Sequence, residues 1–224
     1  MKKLFAFLFI VFLSQHIWAQ DYTKVSESDP KAKALLQEMR AKYEGYNTLQ
    51  STFQLSIEIP ESKTQNLNGK LTQRKEKYVL ELPDEQLYCN GATTWLYKPR
   101  KNVVQINDVD NSGNADMIQP QDLLRVYEWK DYVYVSGEKT TEKGKQLQQI
   151  EFKPLKASSD FFKIRLWVNT STNELVRIKA FAKDGSRYTL NNITINTVKG
   201  WKDDAFAFNT AKFPKVKIED LRLD

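Results

Sequence analysis

The chain has 224 residues, 41% of them apolar, and a formal charge of +6 that falls to about +4 once Lys2 and Lys3 leave with the leader described below. Its one histidine, His16, lies in that leader, which excludes histidine triads, histidine general bases and histidine metal ligands. Its one cysteine, Cys89, excludes an internal disulfide, and the basic residues are spread over strand-like positions such as Lys70, Arg74, Lys77, Lys163 and Arg165, which speaks for a solvated face and against nucleic-acid binding.

Lys2 and Lys3 precede an apolar run from Leu4 to Leu13, and the small Ala19 stands before Gln20. This is the pattern of a secretory signal cleaved after Ala19. The run is too short to span a bilayer, and no cysteine follows it that could be acylated. The expectation is a leader over 1–19 and a single exported, soluble domain over 20–224. Its length suffices for a substantial core without disulfides. Cys89 lacks an imidazole partner and reads as a small buried residue, not a nucleophile.

Asp29 caps and Pro30 opens a helix whose apolar stripe is Leu35, Leu36, Met39, Tyr43 and Tyr46, ending near Gly45. The period then changes to two. Phe53, Leu55, Ile57 and Ile59 alternate with Thr52, Gln54, Ser56 and Glu58, the mark of a strand wet on one face. Alternation continues over Leu67–Gln73, Lys77–Leu82, Gln86–Asn90, Thr93–Lys98 and Asn102–Ile106. It resumes over Asp131–Gly137, Lys145–Lys153, Phe162–Asn169, Glu174–Ala182 and Arg187–Asn196. Tight turns, PDEQ at Pro83, NG at Asn90, TSTN at Thr170 and DG at Asp184, make neighbouring strands antiparallel. Between the two runs, NSGNADMIQPQDLLRVYEWK reads as a polar loop and a short helix from Pro120 with Leu123, Leu124 and Tyr127 on one side.

The predicted fold is mainly β with α: a curled, incompletely closed antiparallel barrel of about ten to eleven strands, its apolar cavity covered by two helical lids. The same apolar residues would also fill the core of a closed barrel, although a filled barrel needs no lids. Other motifs carry less. DVDNSGNAD from Asp108 to Asp116 approaches a calcium loop, but Gln119 stands where a bidentate Glu is needed, and a surface loop is the better reading. Asp131, Glu151, Glu174 and Asp184 could serve a carboxylate hydrolase, but nothing pairs them. NTS at Asn169 and NIT at Asn192 are chance-level sequons.

The order of elements, with GKLTQRKEKYVLEL, NGATTWLYKP and the closing VNTSTNELVRIKAFAKDGSRYTLNNITINT followed by DDAFAFNT, resembles LolA, the periplasmic outer-membrane lipoprotein carrier family. The resemblance rests on Gly91, Trp95, Tyr97 and Pro99 and on Asp204, Phe206 and Phe208. It implies a soluble periplasmic carrier, monomeric and without cofactor or catalysis. Such a carrier receives acylated lipoproteins from an inner-membrane lipoprotein-releasing transporter and delivers them to an outer-membrane lipoprotein receptor. The family's Arg-Pro pair, whose arginine latches the lid, maps to Arg74, five residues after Gly69, with Lys75 in place of proline and as the alternative latch.

The cavity lining expected on this reading is Phe53, Leu55 and Ile57 on the first strand, then Leu71, then Tyr78 and Leu80. Trp95 and Tyr97 follow on one face of the next hairpin, and Ile164 and Leu166 complete the wall. Leu35, Leu36 and Met39, with Leu123 and Leu124, form the lids. The alternatives are a carrier or sensor of another amphiphile, such as a glycolipid, on the same fold, and the hydrolase.

Overall fold

The computed structural model describes residues 27–109, 132–157 and 159–222. One helix, α1 (Pro30–Glu44), precedes β1 (Leu49–Glu58), β2 (Gln65–Arg74), β3 (Lys77–Glu81), β4 (Gln86–Cys89), β5 (Thr93–Lys98) and β6 (Val103–Asp108). Then come β7 (Tyr132–Glu142), β8 (Lys145–Pro154), β9 (Phe161–Asn169), β10 (Glu174–Ala182), β11 (Arg187–Thr197) and the short β12 (Lys217–Asp220). All twelve form one sheet in the order β12-β6-β5-β4-β3-β2-β1-β11-β10-β9-β8-β7. The ends of that order do not pair, so the curled sheet stays open instead of closing into a barrel.

The first and second strand runs are each a meander of tight antiparallel turns, and they join through the long pairing of β1 with β11. The Asp184-Gly185 turn has Gly185 at φ 92°, a conformation that costs glycine nothing. β12 departs from the expected all-antiparallel sheet of ten to eleven strands: it runs parallel to β6, Lys217 opposite Val103 through Asp220 opposite Ile106. Four residues whose one apolar side chain, Ile218, is exposed give no alternation to read, and a parallel partner is far away in the chain.

Cross-strand register assigns every side chain to a face. One row runs Ser51–Leu71–Leu80–Leu87–Leu96 across β1 to β5, and another runs Leu55–Leu190–Ile178–Leu166–Ile150 across β1 and β11 to β8. Both belong to the inner face, on which α1 lies. α1 turns Ala32, Leu36, Met39 and Tyr43 onto the sheet, and all four are buried. Burial of Leu36 or Met39 contributes about 1.5–3 kcal/mol each, which holds a helix that would be marginal alone.

Opposite Phe53 on this face stands Gly69, and a Cβ there would lie 2.2 Å from the Phe53 ring. The glycine makes room for the ring. Gly69→Ala is therefore expected to cost about 1–3 kcal/mol by overpacking, read as a lower denaturant midpoint. An unchanged midpoint would mean that the ring swings aside without penalty.

Candidate functional site

The inner face gathers most of the expected lining. Phe53, Leu71, Tyr78, Leu80, Ile164 and Leu166 are buried in one apolar cluster with Leu36 and Met39 of α1, and Leu35 and Leu55 pack half-buried against it. Ile57 is half-buried farther along the same face of β1. Leu123 and Leu124, the second expected lid, lie outside the described residues. Ile150 and Phe152 on β8 and Leu190 on β11 complete the face and are absent from the expected set. Their signal is the cross-strand row, which needs the register and not the strand alone.

α1 crosses this face fastened at both ends by polar contacts. At its start, the Asp29 carboxylate accepts from the amides of Lys31 (2.8 Å) and Ser136 (3.1 Å), and Ser28 Oγ accepts from the amide of Tyr134. At its end, Lys42 Nζ donates to Glu174 and to the Thr172 carbonyl, both at 2.8 Å, and the Leu175 amide donates to Tyr43 Oη. The Ser136 hydroxyl, then backbone amides, hold the Asp29 carboxyl below its ordinary 3.8 against the opposing effect of burial. Lys42 does the same for Glu174, below 4.5.

Carboxylates depressed in the folded state contribute stability that is complete above their unfolded values and is lost as pH falls through the folded ones. The two ends of α1 are thus expected to loosen as pH drops below about 4, read as faster amide exchange over Pro30–Glu44. Protection of α1 that holds unchanged until the whole sheet unfolds in acid would contradict this.

Trp95 and Tyr97 do not share the inner face. The row Thr72–Val79–Tyr88–Trp95–Ile106 is the outer one, and Tyr97 pairs with Val104 on the same side. There they form a second cluster with Val104 and Tyr88 under the C-terminal segment. Phe208 lies 5.2 Å from the Tyr97 ring and stacks on Phe213 at 4.5 Å, and Tyr97 Oη donates to Asn102. The expectation that these two rings line the cavity is corrected: both faces of β4–β5 are apolar, so alternation could not tell them apart.

Arg74 also lies on the outer side, and it does not latch α1. Its Nε donates to Thr48 Oγ1 (2.8 Å), Nη1 to Asp203 (2.8 Å) and Nη2 to the Trp201 carbonyl, while the guanidinium sits 5.6 Å from the centre of the Phe206 ring. It clasps the 3-10 turn Asp203–Phe206, which packs against β3. Lys77 joins it at Asp203, and these two donors, Lys77 first, hold the Asp203 carboxyl below 3.8. Lys75 is no latch either. It is the exposed turn residue between β2 and β3, at φ 52°, where a proline could not stand.

The remaining candidates stay apart. Cys89 is buried, and burial pushes its thiol pKa up, away from the thiolate that a nucleophile requires. Glu151 pairs with Arg165, Glu174 with Lys42, and Asp184 accepts from Ser186. Asp131 and most of the Asp108–Asp116 loop lie outside the described residues, among which no three His, Cys, Asp or Glu side chains could hold a metal ion. A pocket of about 520 Å³ opens on the outer face at the β11 bulge opposite Thr52 and Gln54, lined mainly by Thr52, Gln54, Asn68, Lys70, Glu81 and Asn192. An acyl chain seated there would lie against the charged Lys70 and Glu81.

Neither the family models nor the curated proteins give a match to this chain. Solved structures do. An uncharacterized conserved protein from Thermus thermophilus is 7% identical with a TM-score of 0.53, over 85% of this chain and 99% of that one. A DUF1329 family protein from Desulfovibrio piger is 15% identical with a TM-score of 0.50, over 83% and 100%. A LolA superfamily protein from Nitrosomonas europaea is 13% identical with a TM-score of 0.44, over 79% and 97%. At these identities the likeness is one of fold. The architecture of this chain is an open curled sheet with a helix on its inner face.

Proposed function

We propose that the protein is an exported carrier that shelters the acyl chains of lipoproteins against the inner face of its sheet, beneath α1. One observation supports it above the others: a continuous apolar face whose helical cover is fastened at its two ends by polar bonds. Such a cover can shift while the sheet stays intact. Each methylene hidden from water stabilises the bound state by about 0.8 kcal/mol, so partial shelter of two or three chains removes the main barrier to crossing water. Release requires that shelter be reversible, which a displaceable helix provides.

On this reading, residues 1–19 are removed after Ala19 and the mature chain travels through the periplasm. It takes cargo from an inner-membrane lipoprotein-releasing transporter and passes it to an outer-membrane receptor, without bond-making or a cofactor. No helix among the described residues is long and apolar enough to cross a membrane. The test is mass spectrometry of what co-purifies with the exported protein, together with binding of a diacylated peptide and its unacylated twin. Recovery of glycolipid or phospholipid alone would turn the reading to another amphiphile. Equal binding of the two peptides would end it.

A further inference from the structure

The outer face of β9, β10 and β11 carries a constellation that the carrier reading does not use. Two cross-strand rows define it: Glu58–Arg187–Phe181–Lys163 and Ser56–Thr189–Lys179–Arg165–Glu151. Four cations converge on one ring, Lys163, Arg187, Arg165 and Lys179 lying 5.0, 5.1, 5.4 and 5.6 Å from the centre of Phe181. Beside it the Phe162 ring, 43% exposed, lies 6.0 Å from Phe181 with Lys163 and Arg187 also against it.

The cations are only partly neutralised. Glu151 takes Arg165 at 2.7 Å and Lys163 at 3.9 Å, and Glu58 takes Lys179 at 3.7 Å. Arg187 donates to the carbonyls of Gly185 and Ser186 and to no carboxylate among the described residues. Arg165 and Lys179 stand directly opposite one another, a like-charge pairing that costs the isolated sheet. Thr189, across from Lys179 and buried, leaves its hydroxyl without a partner. An anion laid over this face would relieve the repulsion between Arg165 and Lys179.

We propose that this patch docks the protein on the surface of an anionic phospholipid bilayer, with Phe162 entering the headgroup layer and the four cations meeting lipid phosphates. A membrane fits better than an acidic polypeptide. β9, β10 and β11 are interior strands, so they offer no free edge for strand addition, and the cations spread sideways over three strands around an exposed ring instead of lining a groove. Each cation near such a surface adds roughly fivefold to affinity at low salt. Docking in this way leaves the inner face and α1 on the opposite side of the sheet. It does not depend on acyl-chain capture.

The test is co-sedimentation of the purified protein with vesicles of phosphatidylglycerol and phosphatidylethanolamine, beside vesicles of phosphatidylcholine, at low and high salt. Binding to the anionic vesicles alone, weakened by salt, is expected. The Lys163→Gln/Lys179→Gln/Arg187→Gln variant should bind at least about tenfold more weakly. Phe162→Ser, which changes an exposed residue and keeps the charges, should weaken binding as well and guards against misfolding of the triple variant. Leu55→Glu, which disturbs the inner face, should dock like the wild type, so failure of the carrier reading and failure of this one are separable. Equal binding to both vesicle types, no loss in either patch variant, or full displacement by inorganic phosphate would overturn the proposal. So would binding to polyglutamate without binding to anionic vesicles, which would mark an acidic protein partner instead.

Discussion

Leu55→Glu is expected to lower the affinity for a diacylated peptide at least about 100-fold while the protein stays folded. Leu55 heads the row Leu55–Leu190–Ile178–Leu166–Ile150 and packs half-buried against the apolar cluster. A carboxylate there can reach water in the empty protein. With hydrocarbon laid beside it, it has to be desolvated without a partner, at a cost of several kcal/mol. Leu80, 5% exposed within the same cluster, makes a poorer probe, because a charge there costs folding before it costs binding. Fluorescence anisotropy of a labelled diacyl peptide measures the effect, with circular dichroism to verify the fold and Leu55→Gln as a milder companion. Unchanged affinity in a folded variant would place the acyl site elsewhere.

The second large effect is expected at the C-terminal clasp. Arg74→Ala removes the donors to Thr48 and to the Trp201 carbonyl, and charge-assisted bonds of this type contribute about 1.5–3 kcal/mol. Thr48 is buried at 1% exposure and loses its partner in the process. Local opening should therefore rise by roughly ten- to a hundredfold over 201–216, seen as faster amide exchange there. The helix α1 (Pro30–Glu44) should keep its protection. Phe208→Ala should loosen the same segment through a different contact, losing about 3–5 kcal/mol of ring packing against Tyr97 and Phe213. Because both act on one segment, the double variant should cost less than the two single losses added. Faster exchange in α1 with an unchanged C-terminal segment would restore the latch role to Arg74 and refute the clasp.

Local chemistry made much of this molecule readable from the chain. The Asp29-Pro30 start of α1, the period-two alternation of β1 and the Asp184-Gly185 turn each act within a few residues, so no distant partner is needed to see them. The open curled sheet followed from strand number and one-sided polarity, and with it the inner placement of Phe53, Leu71, Leu80, Ile164 and Leu166. Tertiary structure decided the rest. On β4 and β5, Tyr88, Trp95 and Tyr97 on one side are as apolar as Leu87, Cys89 and Leu96 on the other. Which set meets α1 depends on a segment more than a hundred residues away, whose Phe208 and Phe213 cover the first set. Arg74 carried the same ambiguity: its donors suit any cluster of acceptors, and the chain alone does not say that Trp201 and Asp203 arrive before a helix end does. Side-chain alternation is a property of one strand, whereas the face that becomes the inside is set by what packs on it.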